Sequence, residues 1–120
     1  MLNLDTHILV LAVRGELQPP EQVLLERNRW SVSAIVWWEI AKLVQLGRLD
    51  FDLDEREFVH ELNLVQVWPL DLAVARASTR LDFKSDPADE IIAATSVVHN
   101  VPLLTRDRTI RGSKIVPLAS

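Results

Sequence analysis

Four carboxylic acids carry most of the chemistry this sequence can offer: Asp5, Glu39, Asp89 and Asp107. Asp5 directly follows a short apolar run, Leu2-Asn3-Leu4, and Glu39 interrupts the otherwise apolar stretch AIVWWEIA. Asp89 lies in the first turn of the clearest helical pattern, DPADEIIAATSVVHN (86–100), and Asp107 follows VPLLT (101–105) after one intervening residue. Carboxylates held close together repel, so a cluster of three or four normally needs a cation, and an all-oxygen donor set suits Mg²⁺ or Mn²⁺. Such ions activate a water and stabilise charge on a phosphoryl oxygen. Each acid also has a structural reading. Asp5 can cap the helix after it, Asp89 can support a helix N-terminus from its third position, and Asp107 can be a turn residue. Glu39 is the hardest to explain structurally. Rival chemistries find no support. The three histidines form no ligand pattern, three glycines cannot build a Gly-rich phosphate loop, and no Gly-x-Ser-x-Gly elbow or cysteine exists.

The elements that must position these acids alternate between short apolar runs and longer helical patterns. LNL (2–4) reads as a strand, followed by a helix over ILVLAVRG that ends near Gly15. Pro19-Pro20 opens a second helix, EQVLLERN. WSVSAI (30–35) has β-type residues and precedes a helix over about 35–46, in which Val36, Ile40, Leu43, Val44 and Gly47 recur at helical spacing. A further amphipathic helix covers 54–64, VQVWPL (65–70) is strand-like, and Asp71 caps DLAVARASTRL. Asp86 is the expected N-cap of the 86–100 helix, with Pro87 as its first residue. VPLLT is a buried-type strand, and KIVPL (114–118) reads as a fifth. This order predicts one α/β domain over 1–120, three layers deep, with a mostly parallel five-stranded sheet. In such sheets sites lie beyond the carboxyl ends of the strands, where all four acids can meet.

The chain of 120 residues is 48% hydrophobic and carries a net charge of −4. An acidic balance taken alone argues against a nucleic-acid binder, whose affinity rests on Lys and Arg. A bound divalent ion reverses the local sign of charge, however, so the placement of the acids matters more than their sum. Arg106, Arg108 and Arg111 bracket Asp107, with Lys114 beyond, and suit phosphate contacts or a solvated basic loop. Among the tryptophans, Trp38 is expected to be packed within its helix, and Trp30 and Trp37 to face either a partner or the core. The N-terminus, with Asp5 and His7 and no basic region, is a poor signal peptide, and Ile8–Val13 is too short to span a bilayer. A soluble, cytoplasmic protein is expected.

Over its full length the sequence resembles the VapC branch of the PIN-domain family. The resemblance is carried by LDTHILVLAV (4–13), SVSAIVWWEIAKLVQLGRL (31–49), WPLD (68–71), DPADEIIAATSVVHNVPLLTRD (86–107) and KIVPL. It implies that Asp5, Glu39, Asp89 and Asp107 are catalytic metal-binding acids. Asp86 is then the extra acid of an Asp-Pro-x-Asp variant, a cap first, and Thr6 and Thr105 are polar residues that orient water or a carboxylate. The family implies a Mg²⁺- or Mn²⁺-dependent endoribonuclease, the toxin of a toxin–antitoxin system. Such toxins cut structured RNA, leave a 5′-phosphate and a 3′-hydroxyl, are silenced by a VapB-type antitoxin and usually form homodimers. The alternative is a catalytically weak PIN-like module that binds RNA or a partner. A phosphatase-like domain using Asp5 as nucleophile is disfavoured, because His7 stands where a second Asp is wanted.

Overall fold

A computed structural model of the chain describes residues 1–119. The strands are β1 (Leu2–Leu4), β2 (Trp30–Ser33), β3 (Gln66–Trp68) and β4 (Leu103–Leu104). The helices are α1 (Thr6–Arg14), α2 (Pro19–Arg27), α3 (Ile35–Gln45), α4 (Arg56–Leu62), α5 (Leu72–Ser78), α6 (Pro87–His99) and α7 (Arg108–Arg111). The strands form one parallel sheet in the order β3-β2-β1-β4. Successive side chains of a strand point to opposite faces, and Leu2, Asn3 and Leu4 are all buried. Helices therefore cover both faces around β1, as parallel sheets require.

The local grammar is read directly from the residues. Asp5 is the extended N-cap of α1, and Gly15 ends that helix at φ 70°, a left-handed conformation that costs glycine nothing. α6 begins with Pro87 and ends at Asn100 in the same left-handed region (φ 51°). The core gathers Leu4, Ile8, Val32, Val36, Ile40, Ile92, Leu103 and Ile110, each at most 4% exposed, with Trp30 and Trp37 packed against it.

Two expectations are corrected here. The sheet has four strands among the described residues, not five: KIVPL contributes a single parallel bridge, Leu103 to Leu118. The amides of Ile115 and Val116 donate to Ser113 Oγ instead of to a neighbouring strand, and Pro117 has no N–H to donate. Trp38 is not packed. It is 55% exposed, because Val36 and Ile40 occupy the inward face of α3.

Candidate active site

Strands β2 and β3 lie on one side of β1, and β4 lies on the other. The chain therefore reverses its direction of travel across the sheet between β1 and β4, which opens a crevice at their carboxyl ends. Asp5 follows β1 and Thr105 follows β4, and the backbone N–H of Asp5 donates to Leu104 O at 3.1 Å. Asp107 is the N-cap of α7 just beyond. Glu39 is one turn into α3, the helix after β2, and Asp89 is the third residue of α6.

Hydrogen bonds fix this group in place. Asp5 is 3% exposed, and its Oδ1 accepts from Thr6 N–H at 2.8 Å. Its Oδ2 accepts from Thr105 Oγ1 at 2.6 Å, and Thr105 Oγ1 in turn accepts from Asp107 N–H at 3.0 Å. Thr6 Oγ1 donates to Glu39 Oε1 at 2.5 Å. Ser85 Oγ donates to Asp89 Oδ2 at 3.2 Å, and Asp107 Oδ1 accepts from Ile110 N–H at 3.1 Å. Thr6 and Thr105 thus each donate a hydroxyl hydrogen bond to a carboxylate of the group. Asp5 and Asp107 serve as caps as well as members of the group, so for these two the structural and functional readings coexist.

Electrostatics show which acids share a neighbourhood. Burial pushes the Asp89 carboxyl up to about 6, and the charges of Asp5, Glu39 and Asp107 push the same way against the Ser85 hydrogen bond. Glu39 is also raised, first by burial, then by Asp5 and Asp86, with the Thr6 hydrogen bond and His7 opposing. The other three acids chosen from the sequence therefore all act on Asp89, and Asp5 also acts on Glu39. Asp86 occupies the N-cap position of α6 but its side chain makes no capping hydrogen bond. It is therefore the N-cap residue by backbone position alone, and its charge also makes a minor contribution at Glu39.

The donor set is hard oxygen throughout and suits a divalent cation. No Lys or Arg forms an ion pair with Asp5, Glu39 or Asp89 among the described residues, so only hydrogen bonds and His7 offset their repulsion. As they stand, however, no three His, Asp or Glu side chains among the described residues are already arranged around an ion position. The hydrogen bonds above explain this: the oxygens are turned toward hydroxyls and amides. Mg²⁺ keeps several of its waters and uses only one or two direct carboxylates, a mode that such a loose ring can accommodate.

The basic loop departs from expectation. Arg106 is tied to Glu21 of α2 through Nε (2.7 Å) and Nη2 (2.6 Å). Arg111 donates from Nη1 to Thr105 O at 3.2 Å, bracing the loop that carries Asp107. Glu21 was not apparent as a functional residue. Its spacing from Gln18, whose N–H it accepts at 2.8 Å, announces a helix cap, but nothing local announces a partner 85 residues away. Ser85 and His7 were likewise missed.

Comparison with known proteins agrees with this geometry. The chain is similar to Ribonuclease VapC22 of Mycobacterium tuberculosis (strain ATCC 25618 / H37Rv), 29% identical over 96 residues that span 78% of this chain and 74% of that protein. Its fold is similar to that in a toxin–antitoxin complex from Klebsiella pneumoniae (TM-score 0.72, 22% identity, 93% and 92% of the two chains). It is also similar to that of FitAcB from Neisseria gonorrhoeae (TM-score 0.73, 23% identity, 100% and 97%). A third likeness is to VapBC2 from Rickettsia felis bound to a promoter DNA fragment (TM-score 0.72, 16% identity, 99% and 98%). The PIN-domain model matches residues 3–112, and with its acids gathered at the sheet's crevice this chain belongs to the PIN-domain family.

Proposed function

We propose that this PIN domain is the toxin ribonuclease of a toxin–antitoxin pair, hydrolysing RNA phosphodiester bonds with Mg²⁺ or Mn²⁺ held by Asp5, Glu39, Asp89 and Asp107. The observation that carries the reading is the convergence of Asp5, Glu39 and Asp107 on the half-buried Asp89 carboxyl, whose charge all three oppose. The similarity to Ribonuclease VapC22 supports the reaction class, and the similarity to toxin–antitoxin complexes supports an antitoxin partner.

In this mechanism a bound divalent ion supplies a water of lowered pKa and offsets charge on the phosphoryl oxygens. Asp5, clamped by Thr6 and Thr105, is the fixed member of the ligand set. Asp89 and Glu39, each with one hydroxyl donor, are the members free to turn toward the cation. Asp89 must release its proton to serve, and a neighbouring cation favours that release. No side chain forms a covalent bond to RNA.

An antitoxin of VapB type is the proposed inhibitor. A basic side chain that reached these acids and excluded water there would be little screened and would compete with the ion. The active unit in this reading is a cytoplasmic homodimer. No described helix is long and apolar enough to cross a membrane. The test is cleavage of RNA by protein purified free of other nucleases. Cleavage stops in EDTA and returns with Mg²⁺ or Mn²⁺ if the reading holds. Chelator-resistant cleavage refutes the metal mechanism, and no cleavage under any metal leaves a binding module.

A further inference from the structure

Beside the acid crevice lies a cleft of about 350 Å³ whose lining includes Gln18, Glu21, Thr105, Arg106, Arg108 and Arg111. Three arginines and one acid, Glu21, line it, and Arg106 is the arginine that pairs with Glu21. Thr105 belongs to both places, since its hydroxyl donates to Asp5 at 2.6 Å. An anion in this cleft would therefore sit next to the bond being cut, where the next phosphate of an RNA strand must lie.

Glu21 is held more tightly than an ordinary surface acid. Its Oε1 accepts from Gln18 N–H at 2.8 Å and from Arg106 Nη2 at 2.6 Å, and its Oε2 accepts from Arg106 Nε at 2.7 Å. Its side chain is 13% exposed, against 41% for Arg106. The carboxylate is thus rooted at the start of α2 and grips one edge of the guanidinium. The Nη1 end of Arg106 makes no hydrogen bond among the described residues. A free arginine must surrender much rotamer freedom to bind a phosphate, whereas one held in a planar fork has already surrendered it.

We propose that Glu21 is a positioning residue that holds Arg106 so that its outer edge, together with Arg108, receives an RNA phosphate adjacent to the candidate active site. The inference rests on the ribonuclease reading and deepens it. It makes an unusual claim about sign: removing a negative charge from a surface that binds a polyanion weakens binding.

The test measures affinity of the full-length protein for a labelled single-stranded RNA in EDTA, over a series of KCl concentrations. Arg106→Ala should weaken binding and lower the salt slope by about one. Glu21→Ala should weaken binding roughly fivefold, the scale of one misplaced charge-assisted hydrogen bond. Combined with Arg106→Ala it should cause no further loss, because Glu21 acts through Arg106. Glu21→Gln keeps the capping geometry of α2 and should fall between parent and Glu21→Ala, which separates loss of positioning from loss of the cap. Tighter binding by both Glu21 variants, or an equal effect of Glu21→Ala with and without Arg106, overturns the role of Glu21 alone. A parent protein that neither binds nor cleaves RNA overturns the ribonuclease reading itself, and this inference with it.

Discussion

Replacing Asp89 by Asn separates a metal ligand from a helix cap by the sign of its effect on stability. The substitution preserves shape, and the Asn oxygen can still accept from Ser85 Oγ, now at 3.2 Å from Asp89 Oδ2. The Asp89 carboxyl is raised from 3.8 to about 6 in the folded protein, chiefly by burial and then by its acidic neighbours. A raised carboxylate binds more protons folded than unfolded between those two values. Stability of the metal-free protein therefore falls as pH rises from about 4 to about 6 and is level above. At about 1.4 kcal/mol per pH unit the full shift corresponds to roughly 3 kcal/mol. Asp89 is only half-buried, and solvent screening reduces this to about 1–2 kcal/mol. Loss of an acid from the first turn of α6 offsets about 0.3–1 kcal/mol. Asp89→Asn should thus be more stable than the parent by about 1 kcal/mol in metal-free buffer near neutral pH, a rise in Tm of roughly 3–5 °C. Near pH 4, where the parent's Asp89 is protonated, the advantage should vanish. Added Mg²⁺ should raise the melting temperature of the parent more than that of the variant, and cleavage should be abolished. Thermal melts at both pH values, with and without Mg²⁺, read beside a cleavage assay, decide the matter. A variant that is active, and less stable by the same amount at both pH values, would refute the reasoning and leave Asp89 as a capping residue.

Three further outcomes follow from the same network. Thr105→Val deprives Asp5 Oδ2 of its donor and Asp107 N–H of its acceptor; it should cost about 1–3 kcal/mol in denaturant unfolding and depress cleavage. Because Asp89 titrates near 6, the Mg²⁺-induced rise in Tm should be smaller at pH 5 than at pH 7, since the ion must displace a proton; equal gains at the two pH values would contradict Asp89 as a ligand. Thr6→Val removes the hydroxyl that holds Glu39 down. The Glu39 carboxyl should then titrate higher still by NMR, and more metal should be needed for half-maximal cleavage.

The acids were legible because a parallel α/β sheet has few places for function. A residue that ends an apolar run and begins a helix must lie at a carboxyl edge, and Asp5 and Asp107 announce that position by spacing, while Asp89 is marked only by its place in the first turn of α6. The fold was legible for the same reason, down to Pro87 opening α6. What escaped depends on partners distant in sequence. Arg106 looks like a phosphate contact in TRDRTIRG, but its first partner is Glu21, 85 residues earlier. Asp86 has the residue type and backbone of a cap, yet its side chain makes no capping hydrogen bond, which residue type alone does not reveal. Trp38 was misjudged because size and hydrophobicity suggest burial, while helical phase assigns the inward face to Val36 and Ile40. The fifth strand failed at the level of single amides, through Ser113 and Pro117.

The sheet order has a consequence for the time at which this protein can act. β1 lies inside the sheet, and its neighbour β4 follows it in the chain only after β2, β3 and six helices. Asp5 waits exactly as long as the ribosome takes to deliver Thr105, its partner 100 residues later. A nascent chain lacking β4 has an open sheet edge beside β1, and Asp89 has Asp5 and Glu39 but not Asp107 for acidic neighbours. At about 5–20 residues per second, that interval lasts several seconds per chain. Chemistry that needs all four acids is therefore withheld from every unfinished chain, including those still attached to the ribosome that made them. If the proposed ribonuclease mechanism holds, such a delay would spare the RNA of the machinery that makes the protein.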